Sequence, residues 1–196
     1  KIRLTTTHGT CFEVWCNNQQ LLLPSSIGLR LSDGTVVGND AVTTVNQTTV
    51  NGKIDVPFGK NRVLNESYNQ LVLSYGKDYD LVVRAYNEGL AYRFITNLNR
   101  EIVINDEDAV FNFAFIPKIY FPECDDYTAA EKEQSGKVHQ IHQGYRNFER
   151  LYKIYNSPSE IAEGKFSVSP VLFEYVGTPY KLVVTESDTY DYPGLY

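Results

Sequence analysis

Between Asn69 and Ile95 the chain reads NQLVLSYGKDYDLVVRAYNEGLAYRFI, three apolar-rich runs broken only at Gly76-Lys77 and at Asn87-Glu88-Gly89. Gly and Asn at such breaks supply the backbone reversals of tight turns, so the stretch reads as three consecutive strands. Strands joined this closely form a meander, which buries one face and leaves the other wet or beneath a second sheet. An antiparallel, mainly β fold follows.

The rest of the chain keeps the rhythm. CFEVWC (11–16) alternates apolar and polar residues around the only Trp, Trp15. SIGLRLSDGTVVG (26–38) sets Leu29 and Leu31 on one strand face and follows them with Asp33-Gly34, a two-residue hairpin signal. EIVIND (101–106), AVFNFAFI (109–116), KFSVSPVLFEYV (165–176) and YKLVVTES (180–187) read as further strands, the last two joined by Gly177-Thr178-Pro179. Many short strands with Gly or Asn at the turns indicate a sandwich or barrel. The 196 residues suit one domain, since all-β sandwiches commonly run to about 200 residues. One region departs from the pattern. From about residue 122 to 152 the sequence is polar, mixed in charge and poor in β-branched residues, with YTAAEKEQSG (127–136) patterned as a short helix ended by Gly136.

Composition closes off several functions. The net charge is −6, and no Lys/Arg cluster offsets it locally, so nucleic acid is excluded as a partner. No apolar run approaches the roughly 18 to 20 residues that cross a bilayer, so no membrane partner is expected. Three cysteines, Cys11, Cys16 and Cys124, do not make a disulfide framework. Cys11 and Cys16 fall on opposite faces of one strand, and all three read as buried free thiols. Tyr and Phe number 15 and 10, a bias that suits both pleated sheets and sugar binding.

Three segments, in order, carry a resemblance. LVVRAYNEGLAYRF (81–94) has an apolar strand, Arg-Ala-Tyr, an acidic-Gly turn and Ala-Tyr-Arg-Phe. FERLYKIYNSPSEI (148–161) has an aromatic-Glu-x-x-Tyr pattern before a turn, and VVTESDTYDYPGLY (183–196) has a Glu followed by Asp-Tyr-Pro-Gly. With PSSIGLRLSDG (24–34), they resemble the amino-terminal domain of family 97 glycoside hydrolases.

The resemblance implies a large two-sheet antiparallel β-sandwich of the galactose-mutarotase-like, super-sandwich kind, with one irregular or helical insertion. It implies a single domain over 1–196 that stops before the sandwich's last strands. It also implies a parent enzyme of the α-glucosidase or α-galactosidase type, exo-acting on oligo- or polysaccharide, periplasmic or secreted. In such enzymes a (β/α)8 barrel carries the catalytic carboxylates, so none is expected in this chain. The barrel is the implied partner, calcium the implied cofactor, and Glu149 the implied calcium ligand. Glu186 and Asp191, in the third segment, are candidates for the substrate cleft.

Other residues read more plainly. Glu123, Asp125 and Asp126 cluster after Pro122, but calcium takes six to eight oxygen ligands in a shaped loop, and a solvated loop is the expectation. His139 and His142 lack the further ligands zinc requires. Trp15 is expected in the core. Two other functions compete: a stand-alone carbohydrate-binding module with an exposed aromatic platform, and a mutarotase-type epimerase. The epimerase needs a His and a Glu as acid and base, whereas His8, His139 and His142 all lie outside the clear strands.

Overall fold

The computed structural model describes residues 1–123, 152–162, 165 and 167–187, in two units, Lys1–Ala114 and Phe115–Tyr196. In the first unit, β1 (Ile2–Thr5), β2 (Cys11–Cys16), β3 (Gln19–Leu31) and β4 (Val36–Val37) pair in that order. A second sheet follows chain order through β5 (Thr44–Asp55), β6 (Val63–Tyr75), β7 (Tyr79–Ala85) and β8 (Leu90–Thr96). The last three are the expected meander, and Tyr86 N–H donating to Gly89 O at 2.8 Å closes its second corner.

The two sheets form the sandwich. Phe12, Leu22, Leu29 and Val37 from the first, and Leu73, Leu81, Val83 and Phe94 from the second, are buried. The ring of Phe12 lies 6.2 Å from that of Tyr92. Thr10 ties the sheets with hydrogen bonds, its hydroxyl donating to Gly38 O at 2.7 Å and joining the Tyr75 hydroxyl.

Gly28 shows why the Pro-Ser-x-x-Gly-Leu segment has a glycine there. A Cβ at this position would stand 2.8 Å from the Val37 carbonyl oxygen, and that backbone is held in the β3–β4 ladder through Leu29 and Val37. Gly28→Ala must therefore push a strand, and thermal unfolding should show a loss of about 1 to 2 kcal/mol.

Four expectations shift. The turn after β3 is wider than two residues: Leu31 N–H donates to Thr35 O at 2.9 Å, and Asp33 accepts from Thr35 N–H. That hydrogen bonding, with Arg100 beside it, brings the Asp33 carboxyl down to about 2. The two strands expected over 101–116 become one, β9 (Ile104–Ala109), centred on the polar stretch between the apolar runs. β9 is shaped by β3, whose edge offers backbone partners from Ile27 to Leu31, and Arg30 faces Asp106 across the ladder at 3.4 Å. Backbone bonds continue past its end, with Leu23 N–H donating to Asn112 O at 2.8 Å. Trp15 is half-buried on the side of β2 away from Phe12 and Val14. Lys1 Nζ and the Arg3 guanidinium lie 5.5 and 5.0 Å from its ring. Cys11 and Cys16 are free thiols, half-buried rather than buried.

The second unit holds β10 (Lys118–Phe121), β11 (Lys153–Tyr155), β12 (Val171–Glu174) and β13 (Lys181–Val184), ordered β11-β10-β12-β13 and antiparallel throughout. The β12–β13 turn uses Gly177 at φ +81°, a left-handed conformation that favours glycine. The insertion expected over about 122–152 lies almost wholly outside the described residues.

Candidate functional site

The second unit presents two sheet faces with different chemistry. On β10, Ile119 and Phe121 share one face and Tyr120 takes the other, because successive side chains alternate. The register pairs Ile119 with Tyr155 and Phe121 with Lys153, so Tyr155 and Lys153 join the first face. Glu123 stands two residues past Phe121, bridged to Ser167, and meets them there. Lys153 Nζ and the Tyr155 hydroxyl both donate to its carboxylate, and Lys165 Nζ stands 3.6 Å away.

The Glu123 side chain is only 3% exposed, against 59% for Lys153. Burial alone would raise its pKa. The hydrogen bonds from Lys153 and Tyr155, with the charges of Lys153 and Lys165, outweigh burial and hold it below the ordinary carboxylate range. The same hydrogen bond pushes the Tyr155 phenol up. Glu123 is thus a fixed anion with both oxygens occupied. A general acid needs the opposite shift, and a calcium ligand needs a free oxygen without ammonium neighbours. The arrangement is an ionic clasp that holds residues 123 and 153 together, where the chain leaves and rejoins this sheet. Glu123 is therefore not in a solvated loop: strand alternation carries it beyond β10 onto the covered face.

The other face is open. Cross-strand pairs Ile154–Tyr120, Tyr120–Leu172 and Leu172–Val183 set four side chains in one transverse row, one per strand. Ile154 and Val183 are each 54% exposed, and Tyr120 and Leu172 are half-buried. Beside them runs a charged row, Lys118, Glu174 and Lys181, with Tyr120 hydroxyl donating to Glu174 at 2.9 Å and Lys181 at 3.7 Å from the same carboxylate.

Of the residues singled out from the sequence, Glu186 lies just past β13 and is half-buried. Glu149, Asp191, Asp125, Asp126, Cys124, His139 and His142 lie outside the described residues. Among the described residues, no three His, Cys, Asp or Glu side chains converge as a metal would require. Sequence reasoning missed the clasp and the open row. The signal for the clasp was the i, i+2 spacing of Lys153 and Tyr155 in YKIY, two positions on one strand face.

The family model described as glycosyl-hydrolase 97 N-terminal matches residues 1–196. A retaining alpha-galactosidase of Bacteroides thetaiotaomicron is 29% identical over 202 residues, all of this chain and 28% of the relative. The chain thus spans little more than a quarter of that relative's length. Among solved structures, a family 97 enzyme of Pseudoalteromonas sp. strain K8 in complex with panose superposes with a TM-score of 0.59 at 14% identity, over 79% of this chain and 23% of that one. A beta-arabinopyranosidase superposes with a TM-score of 0.62 at 16% identity, over 88% and 27%. At such identities the likeness is one of fold, and it agrees with the mainly β sandwich described above. With its whole length matched, the chain belongs to the glycosyl-hydrolase 97 N-terminal family, the amino-terminal domain of family 97 glycosidases.

Proposed function

We propose that this domain is the non-catalytic support of an exo-acting family 97 α-galactosidase or α-glucosidase, packing on the catalytic barrel of the same polypeptide and lending Glu149 to a calcium-bearing cleft. The observation that carries the packing is the transverse row Ile154–Tyr120–Leu172–Val183, largely apolar, exposed at its two ends and flanked by charge. Such a face on a sheet is the usual mark of an interaction surface. The α-galactosidase of B. thetaiotaomicron supports the substrate class, and panose, an α-linked glucoside bound to another family member, supports the alternative sugar. Bound calcium would supply positive charge beside the sugar. Within this chain, Glu149 would hold it by a carboxylate oxygen, while Glu186 and Asp191 would line the cleft. Location in the periplasm or outside the cell belongs to the same reading.

A stand-alone sugar-binding module is less well supported. Its platform would need exposed aromatic rings set side by side; the Trp15 ring is faced by Lys1 and Arg3, and the two most exposed rings among the described residues, Phe58 and Tyr152, belong to different units.

The test is made on the full-length parent enzyme, assayed on α-galactosides and α-glucosides before and after calcium chelation. Chelation should abolish turnover, added calcium should restore it, and Glu149→Ala should raise the calcium needed for half-maximal activity at least roughly tenfold. Unchanged activity and calcium dependence in Glu149→Ala would remove that role. Ile154→Asp combined with Val183→Asp should split one thermal transition into two, and a single unchanged transition would remove the packing face.

A further inference from the structure

A strand that the apolar pattern did not mark carries a second surface. β5 pairs with β6 over an unbroken ladder from Thr44–Ser74 to Asp55–Val63, but β7 accompanies β6 only as far as Asn69. Beyond that point, from Val50–Tyr68 outward, the described residues form a two-stranded ribbon about 20 Å long at 3.4 Å per residue. A ribbon of two strands is marginal in water unless something covers it.

Its faces are unlike. One face is mostly polar and tied across the strands: Thr49 hydroxyl donates to Asn69 at 2.8 Å, and Ser67 hydroxyl to Asn51 at 2.7 Å, with Val63 opposite Asp55 at its end. The other face has Val50 opposite Tyr68, then Gly52 opposite Glu66, and near the tip Ile54 opposite Leu64, the last two exposed by 45% and 44%. Val56 N–H donating to Arg62 O at 2.7 Å closes the end. There Phe58, at 87% exposure, is the most exposed large apolar side chain among the described residues. It precedes Gly59 at φ +127°, a backbone conformation that turns the chain sharply and is closed to side chains with a Cβ. Lys53, Lys60 and Arg62 against Asp55 give residues 53–62 a net charge of +2, within a chain of −6.

We propose that this tip docks on the catalytic portion of the same family 97 polypeptide, with Phe58 as its anchor and Ile54 and Leu64 beside it. The inference rests on the reading of the chain as a support domain. Two observations select that occupant. The relative has 72% of its length outside the match (100 − 28), so a large body is available to receive the tip. In the relative the matched part and the rest share one polypeptide, and a tethered partner is met at a high effective concentration that a free one lacks. A second copy fits less well. A symmetric tip-to-tip contact sets +2 against +2, and a tip-to-elsewhere contact is head-to-tail and need not close.

The experiment uses the full-length parent enzyme with Phe58→p-benzoylphenylalanine, irradiated and mapped by peptide mass spectrometry. Crosslinks within one molecule to peptides beyond residue 196 are expected. Crosslinks only between molecules, or none, overturn the proposal. In parallel, Phe58→Asp should lower kcat/KM at least about tenfold, as loss of an interface anchor does, while Phe58→Tyr stays near wild type. The position is a solvated turn, so a folding defect does not confound the reading. Unchanged kcat/KM in Phe58→Asp overturns the proposal as well. If the Ile154→Asp, Val183→Asp pair splits the melt but Phe58→Asp does nothing, the tip contact falls and the support-domain reading stands. If neither has an effect, both fall.

Discussion

Phe12→Ala should be the most destabilising single change in the first unit. The ring is 2% exposed, with Tyr92 at 6.2 Å and Phe111 at 6.1 Å, and it lies where the two sheets meet. Truncation removes the burial of a full aromatic side chain and leaves a void that two pleated sheets cannot close. Such changes cost about 3 to 5 kcal/mol. For a chain of this size, each kcal/mol lowers the midpoint by about 2 to 4 °C, so thermal unfolding should shift down by roughly 6 to 20 °C. Phe12→Leu keeps most of the apolar volume and should recover most of the loss. A shift of only a degree or two in Phe12→Ala would mean that the inter-sheet core is not packed as described.

Glu123→Gln carries the second largest effect, and its pH dependence identifies the cause. The glutamine keeps the shape but loses the charge that Lys153, Tyr155 and Lys165 surround. Hydrogen bonds to a charged group are the strong ones, and the loss at neutral pH should be roughly 2 to 3 kcal/mol. Because the folded pKa of Glu123 lies below its ordinary value, the unfolded chain binds the proton more readily. Stability contributed by the clasp is therefore complete above the unfolded carboxylate pKa of about 4.3 and is lost as pH falls through the lower folded value. Denaturant titrations of both proteins should give a constant difference from pH 7 to about 5, shrinking below about 4. A difference that grew on acidification would contradict the clasp.

The parts of the fold that were legible share a cause. The meander of β6, β7 and β8 announces itself because apolar runs, Gly turns and core burial coincide; Leu73, Leu81 and Phe94 sit opposite one another and are all buried. Where these decouple, the reading slips. β5 is exposed almost throughout, so it lacks the alternation that burial imposes, and only its Thr and Val content hinted at a strand. β9 is a strand because β3 pairs with it, and its Asp106–Glu107–Asp108 run would not form one alone. Glu123 reads as a loop acid from its neighbours in sequence, because the lysines and tyrosine that bury it come from residues 153 to 165. The Gly28 requirement was visible as a residue type but not as a reason, since the Val37 carbonyl that excludes a Cβ comes from a strand across the turn.

The clasp also bears on how freely a family can vary. β10 and β11 pair directly, and Glu123 joins Lys153 and Tyr155, so the two stems flanking residues 124–151 are fastened by the sheet itself. Loop-closure entropy grows only with the logarithm of length, so doubling the chain between fixed stems costs about 0.6 kcal/mol. A change of length between such stems therefore leaves the sheet that fastens them nearly as stable as before.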